Sequence, residues 1–112
     1  MKIIRESHLE PPKLPQSIEE FADKYNLTMK VVRRGISNLP KFYAHFVGVD
    51  IKNGNILSAT YGDGSTEKEA IDAYAKAISQ KLIVVNAMHR DRREINVPIL
   101  YYKKTKKRNH EL

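Results

Sequence analysis

Phe42-Tyr43-Ala44-His45-Phe46-Val47-Gly48-Val49-Asp50-Ile51-Lys52-Asn53-Gly54-Asn55-Ile56-Leu57-Ser58-Ala59-Thr60-Tyr61 is the stretch that decides the fold. Two apolar, aromatic and β-branched runs flank Asn53-Gly54, both of whose residues tolerate positive φ and so favour a two-residue hairpin turn. The spacing predicts a strand over Phe42–Ile51 and a returning antiparallel strand over Ile56–Tyr61. Side chains alternate along a strand, so Phe42, Ala44 and Phe46 point one way and Tyr43, Val47, Val49 and Ile51 the other. Both faces are apolar. One can pack on helices, and the other needs a cover of its own. Glu94–Tyr102 is expected to cover that second face or to extend the sheet, with Pro98 making it an edge strand or an extended segment.

Working outward, Leu27–Arg33 is a third apolar and β-branched run and reads as a strand, followed by a loop over Gly35–Pro40. Ser17 with Glu20 forms a capping box for a helix to Tyr25, whose apolar positions Ile18, Phe21, Ala22 and Tyr25 share one face. Downstream, Gly62-Asp63-Gly64 is read as a break. Thr66 with Glu69 caps a second helix, predicted to run to about Lys81. Its alanines at 70, 73, 75 and 77 make it narrow enough to lie close on a sheet. Leu82–Val85 is a short apolar run, and His89–Arg93 a charged turn. The expected fold class is α+β, of α-β-β-β-α type: a three-stranded antiparallel sheet packed on two helices, with an extra C-terminal extended segment or strand. The expected organisation is a leader over 1–16 containing Pro11, Pro12 and Pro15, with room for a short strand at Lys2–Arg5, then a single domain over 17–102 and a basic tail over 103–112.

Composition narrows the classes. Of 112 residues, 41% are hydrophobic and 29% charged, which suits a globular domain. The absence of Cys excludes disulfides and thiolate metal sites. No apolar run approaches the roughly 20 residues of a membrane span, and Met1–Glu6 lacks a signal-peptide core, so a cytoplasmic location is expected. The net charge is +7, and the tail holds +4 of it: Lys103, Lys104, Lys106, Lys107 and Arg108 against Glu111. Such a tail attracts phosphate without reading sequence, by displacing counterions. Arg33, Arg34 and Lys41, with Lys30 nearby, flank the first loop, and Arg92 and Arg93 follow Arg90 in the charged turn. Together they are candidates for a phosphate-binding surface. Tyr101-Tyr102 beside Lys103 is read either as a base-stacking pair or, preferentially, as rings packed on the sheet.

The chain from Ser17 to Leu82 resembles the double-stranded RNA-binding domain. Glu20–Leu27 is similar to the end of that family's first helix. Gly35, Pro40 and Phe42 match a Gly-Pro-x-His-x-Pro-x-Phe pattern in register, with Ile36 and Asn38 at its Pro and His. Gly62, Gly64, Lys68 and Ala70 match a Gly-x-Gly-x-Ser-Lys-Lys-x-Ala-Lys pattern, with Thr66 for Ser and with Glu67 and Ile71 at two of its lysines. The resemblance implies a module that spans about 16 base pairs of duplex RNA, touching two minor grooves and the phosphates between them. It would put Glu20, beside Asp23, and Asn38 at minor grooves, and Lys68 on phosphate. A second resemblance, carried by Thr66–Ile71, Val85–Ala87 and Arg92–Pro98, is to small accessory proteins of bacteriophages. It implies a host protein, a component of host defence, or a second copy as partner.

Catalysis is not expected. His8, His45, His89 and His110 form no ligand pattern with one another or with carboxylates, and Gly62-Asp63-Gly64-Ser65 is neither a nucleophile elbow nor a phosphate loop. Glu19, Glu20 and Asp23 read as a solvated helix face. No metal or cofactor is expected, and the anticipated role is that of a non-catalytic binding module, with duplex RNA as the favoured partner.

Overall fold

Two capped helices and a bent hairpin generate the architecture. A computed structural model describes residues 1–4, 14–35 and 39–103. Its elements, in chain order, are β1 (Gln16–Ser17), α1 (Ile18–Tyr25), β2 (Met29–Arg33), β3 (Phe42–Phe46), β4 (Val49–Asn53), β5 (Ile56–Ser58), β6 (Gly62–Gly64), α2 (Glu67–Ile78), β7 (Leu82–Val85), β8 (Arg93–Asn96) and β9 (Leu100–Tyr101). The fold class is α+β. Lys2, Ile3 and Ile4 form no strand, and Arg5 lies outside the described residues.

The helix caps form as their sequences dictate. Ser17 Oγ accepts the Glu20 N–H at 3.1 Å and donates to Glu20 Oε1 at 2.9 Å. Asn26, at φ 55°, closes α1 by returning its N–H to the carbonyls of Ala22 and Asp23. Thr66 Oγ1 accepts the Glu69 N–H at 3.1 Å, while Glu69 Oε1 accepts the Ser65 N–H at 2.8 Å. Helix α2 stops at Ile78, short of Lys81. The Ser79 hydroxyl donates to the Ala75 carbonyl at 2.7 Å and accepts the Leu100 N–H at 2.8 Å. Gln80, at φ 61°, then turns the chain toward Val97. The C-terminal segment thus supplies the partners that end the helix.

The hairpin departs from its expected form. The strand predicted over Phe42–Ile51 breaks at Val47-Gly48, where Gly48 adopts φ +72°. Its carbonyl accepts the Asn86 N–H at 2.8 Å, and a Cβ there would stand 2.8 Å from Asn86 Oδ1. The returning arm divides as well, into β5 and β6. Gly62-Asp63-Gly64 is therefore a strand and not a break: Ala44 pairs with Gly62 and Phe42 with Gly64. The base of the hairpin joins β2 in a three-stranded antiparallel sheet of order β2-β3-β6. Its tip joins the C-terminal strands in a four-stranded antiparallel sheet of order β5-β4-β7-β8, and β1 pairs in parallel with β9. The expected single three-stranded sheet becomes three sheets.

The bend also resolves the two apolar faces. Before it, Ala44 and Phe46 face the helices and are fully buried, while Tyr43 and His45 look outward, half-buried. After it, Val49 and Ile51 pair with Val85 and Ile83 and face the same core as Ile95. Val49 and Ile51 therefore need no separate cover. Glu94–Asn96 extends the second sheet as part of β8, and β9 packs on α1 and α2.

Glycine sets the distance between sheet and helix. A Cβ on Gly62 would run into the Tyr74 N and Ala70 O of α2, and one on Gly64 into the Ala70 N. Contact at backbone range brings the Tyr74 ring edge-on to Phe46 at 5.4 Å, and Phe46 in turn stacks on Phe21 of α1 at 6.3 Å. Such ring pairs contribute about 0.5–1.5 kcal/mol each beyond the area they bury.

Gly62→Ala is expected to cost about 3 kcal/mol or more in urea unfolding, because the obstacle is backbone. Gly54→Ala, at φ +64° in open space at the hairpin tip, is expected to cost only about 1 kcal/mol. Burial pushes the Tyr74 phenol from 10.0 up to about 12, opposed by a hydrogen bond with the Phe46 backbone and reinforced by the Asp50 charge. The folded chain thus holds this proton more tightly than the unfolded chain does. The stabilisation is complete below about pH 10 and lost as pH rises toward 12, a fall of roughly 2–3 kcal/mol from this group. Alkaline denaturation followed by circular dichroism checks it, and Tyr74→Phe should flatten that fall.

Candidate functional site

The sheet register gathers cations at one end of the fold. Arg33, Phe42 and Gly64 align across β2, β3 and β6. Lys41 immediately precedes Phe42, and Lys68 lies in the first turn of α2, just beyond Gly64. Arg33, Lys41 and Lys68 are exposed and have no ion pair among the described residues. The first turn of α2 is not an open anion site. Glu69 already holds the Ser65 N–H, and Glu67 and Glu69 both oppose the positive end of the helix dipole. Any phosphate there would be held by side-chain ammonium and guanidinium groups.

The other candidates are mostly engaged. Glu20 is spent on the α1 cap. Arg92 pairs with Glu94 Oε2 at 3.0 Å, as does Lys52. The Lys52 hydrogen bond holds the Glu94 carboxyl below the usual range, with the charges of Lys52 and Arg92 adding to it. Arg93 donates to the Tyr25 carbonyl at 2.9 Å and so serves the C-terminal end of α1. Arg34 bridges to Asp63 at 2.7 Å, donates to the Pro40 carbonyl at 3.0 Å and lies over the Tyr43 ring at 4.6 Å. The Lys103 N–H is accepted by Glu19 Oε1 at 3.1 Å, which holds Lys103 beside α1. Burial raises the Tyr102 phenol, as do the carboxylates of Glu19 and Glu67, which places α2's first turn nearby. Tyr102 packs against the core cluster. Asn38, Lys104, Lys106, Lys107 and Arg108 lie outside the described residues.

The outward face of the first sheet carries a grouping that the sequence reading overlooked. Tyr43 and His45 lie with ring planes 8° apart and centroids 6.2 Å apart. Tyr61 stands edge-on to both, at 5.3 and 5.1 Å. His45 Nδ1–H donates to the Phe46 carbonyl at 3.0 Å, so in that tautomer Nε2 is an acceptor. Beside the rings, at the bend, opens a cleft of about 330 Å³ lined by His45, Asp50, Tyr61, Asn86 and His89 among others. The period-2 alternation of Tyr43 and His45 was the available signal. Tyr61 was not, because its place depends on the register of β6.

Comparison with protein families, curated proteins and solved structures finds no match to this chain. Among the described residues no cluster of His and carboxylates could hold a metal ion, and no helix is long and apolar enough to cross a membrane. Arg93→Ala is expected to lower stability by about 1 kcal/mol through loss of the Tyr25 hydrogen bond. Arg93→Lys should recover only part of it, as chemical denaturation of the two variants would show.

Proposed function

We propose that this chain is a non-catalytic nucleic-acid-binding module of cytoplasmic type that engages duplex RNA mainly by charge. The observation that carries this reading is the convergence of Arg33, Lys41 and Lys68, exposed and unpaired among the described residues, at one end of the β2-β3-β6 sheet. The order α1, β2, β3, β6, α2 also supports a domain like the double-stranded RNA-binding domain, with the β4–β5 tip and β7–β8 added as a second sheet. In such a domain the strand-to-strand loop and the start of the last helix meet the RNA. The basic tail adds counterion release without specificity.

A second reading draws on a different observation. Ile56, Leu57 and Ser58 of β5 form an exposed, uncharged sheet edge, whereas the opposite edge, β8, carries Arg93 and Glu94. A bare edge of this kind suits pairing with another chain, as in a phage-type accessory protein that docks a host protein or a second copy.

Fluorescence anisotropy with duplex RNA, duplex DNA and single strands across a salt series tests the first reading. Duplex RNA is expected to bind in preference, also to a chain ending at Tyr102. Lys68→Gln should reduce the slope of log affinity against log salt by about 1. Equal binding of every polyanion, or binding that disappears with the tail, would refute it.

A further inference from the structure

We infer that the outward face of the β2-β3-β6 sheet is a separate site for unpaired nucleotides, whose bases stack on Tyr61 and the Arg34–Tyr43 pair and reach the cleft beside His45. The face adjoins the Arg33, Lys41 and Lys68 end at Arg34, whose N–H is accepted by the Lys41 carbonyl at 2.7 Å, but it uses different side chains, and its occupancy does not depend on duplex binding.

The geometry has the components of a stacking platform. Aromatic rings on an antiparallel sheet accept bases face-on, because every base has a π-face. Tyr43 and His45, two residues apart on β3, present nearly parallel rings, and Tyr61 projects from the neighbouring arm, half-exposed. Arg34 enlarges the surface. Its guanidinium carbon lies 4.6 Å from the Tyr43 ring centroid, and Asp63 and the Pro40 carbonyl hold it there, so it offers a preordered planar group beside the ring. Asp63 also neutralises Arg34, which makes that plane a stacking surface more than a phosphate anchor. Lys30, exposed on β2 and paired in register with His45, and Arg90, beyond the cleft, are placed to meet the backbone.

The cleft provides polar readout. Its volume, about 330 Å³, falls at the low end of the range of about 300–1,000 Å³ common for ligand sites. Asp50 offers only acceptors, and His45 Nε2 offers one more in the neutral ring. Both suit a base edge that carries amino or ring N–H donors. The Asn86 side chain is already oriented, since its Nδ2 donates to Asp91 Oδ2 at 2.9 Å. Gly48 leaves room for its Oδ1.

The test is anisotropy with a labelled unstructured oligoribonucleotide and an abasic phosphodiester of equal length, on the full chain. The oligoribonucleotide should bind at least about tenfold tighter, the stacking of one base being worth about 1–3 kcal/mol. Tyr61→Ala should remove most of that difference, Tyr61→Phe should keep it, and Lys68→Glu should leave it intact while weakening duplex binding. Circular dichroism melts confirm that the variants are folded. Photo-crosslinking of thiouridine-substituted strands to the unaltered chain gives a reading independent of any variant, and adducts should map to Tyr43, Tyr61 or Met88, an exposed residue that also lines the cleft. Equal binding of the abasic chain would overturn the proposal, as would adducts confined to the tail and α2. Self-association in sedimentation that Tyr61→Ala abolishes would assign the face to a second copy and overturn it too.

Discussion

The backbone of α2 lies so close to β6 that a Cβ at Gly62 or Gly64 would collide with it, and this is the constraint on which the rest depends. With hydrogen at Gly62 and Gly64 the helix rests directly on the strand, and Ala70, Tyr74 and Ile78 reach full burial. Tyr74 then meets Phe46, Phe46 meets Phe21, and α1 is held in the same core as β3. The contact also aligns the ends of the strands with the first turn of α2, which brings Lys41 and Lys68 to one end. Packing and candidate function are in this way consequences of the same two missing side chains.

The bend at Val47-Gly48 is the second determinant. It lets one hairpin serve two sheets, so that alternate residues of a continuous run face different surroundings. Tyr43 and His45 look out from the first sheet, whereas Val49 and Ile51 turn into the core between Val85, Ile83 and Ile95. A flat hairpin would have exposed all four on one side. The cleft lies at this bend, between the ring cluster and the β7–β8 loop.

Local chemistry was readable from the chain where it acts within a few residues. Ser17 and Thr66 cap as their spacing indicates, and the alanines of α2 mark it as a close-packing helix. The two-residue turn expected at Asn53-Gly54 falls one residue on, at Gly54-Asn55, because Asn53 pairs with Ile56 as the last residue of β4 and only Gly54 takes the positive φ. What depends on distant partners was not readable. Gly48 in a strand pattern, and Gly62 and Gly64 after one, signal either a bend or a close approach. Only Asn86 and the α2 backbone decide which. The end of α2 was overestimated because its terminator, Leu100, is 21 residues beyond Ser79. For the charged residues, sequence alone could not separate cations with a partner from free ones. Arg92 and Arg93 are tied to Glu94 and Tyr25, whereas Arg33, Lys41 and Lys68 have no ion pair among the described residues. That distinction, more than net charge, governs where phosphate can bind.

The most direct test of the central claim, that nucleic acid meets this fold on two separate surfaces, is an NMR titration of the isotope-labelled chain with duplex and with unpaired RNA. Duplex should shift the amides around Arg33, Lys41 and Lys68, and the unpaired strand those of Tyr43, His45 and Tyr61, with little overlap. Shifts confined to one common set, or located along Ile56–Ser58 for both, would contradict it.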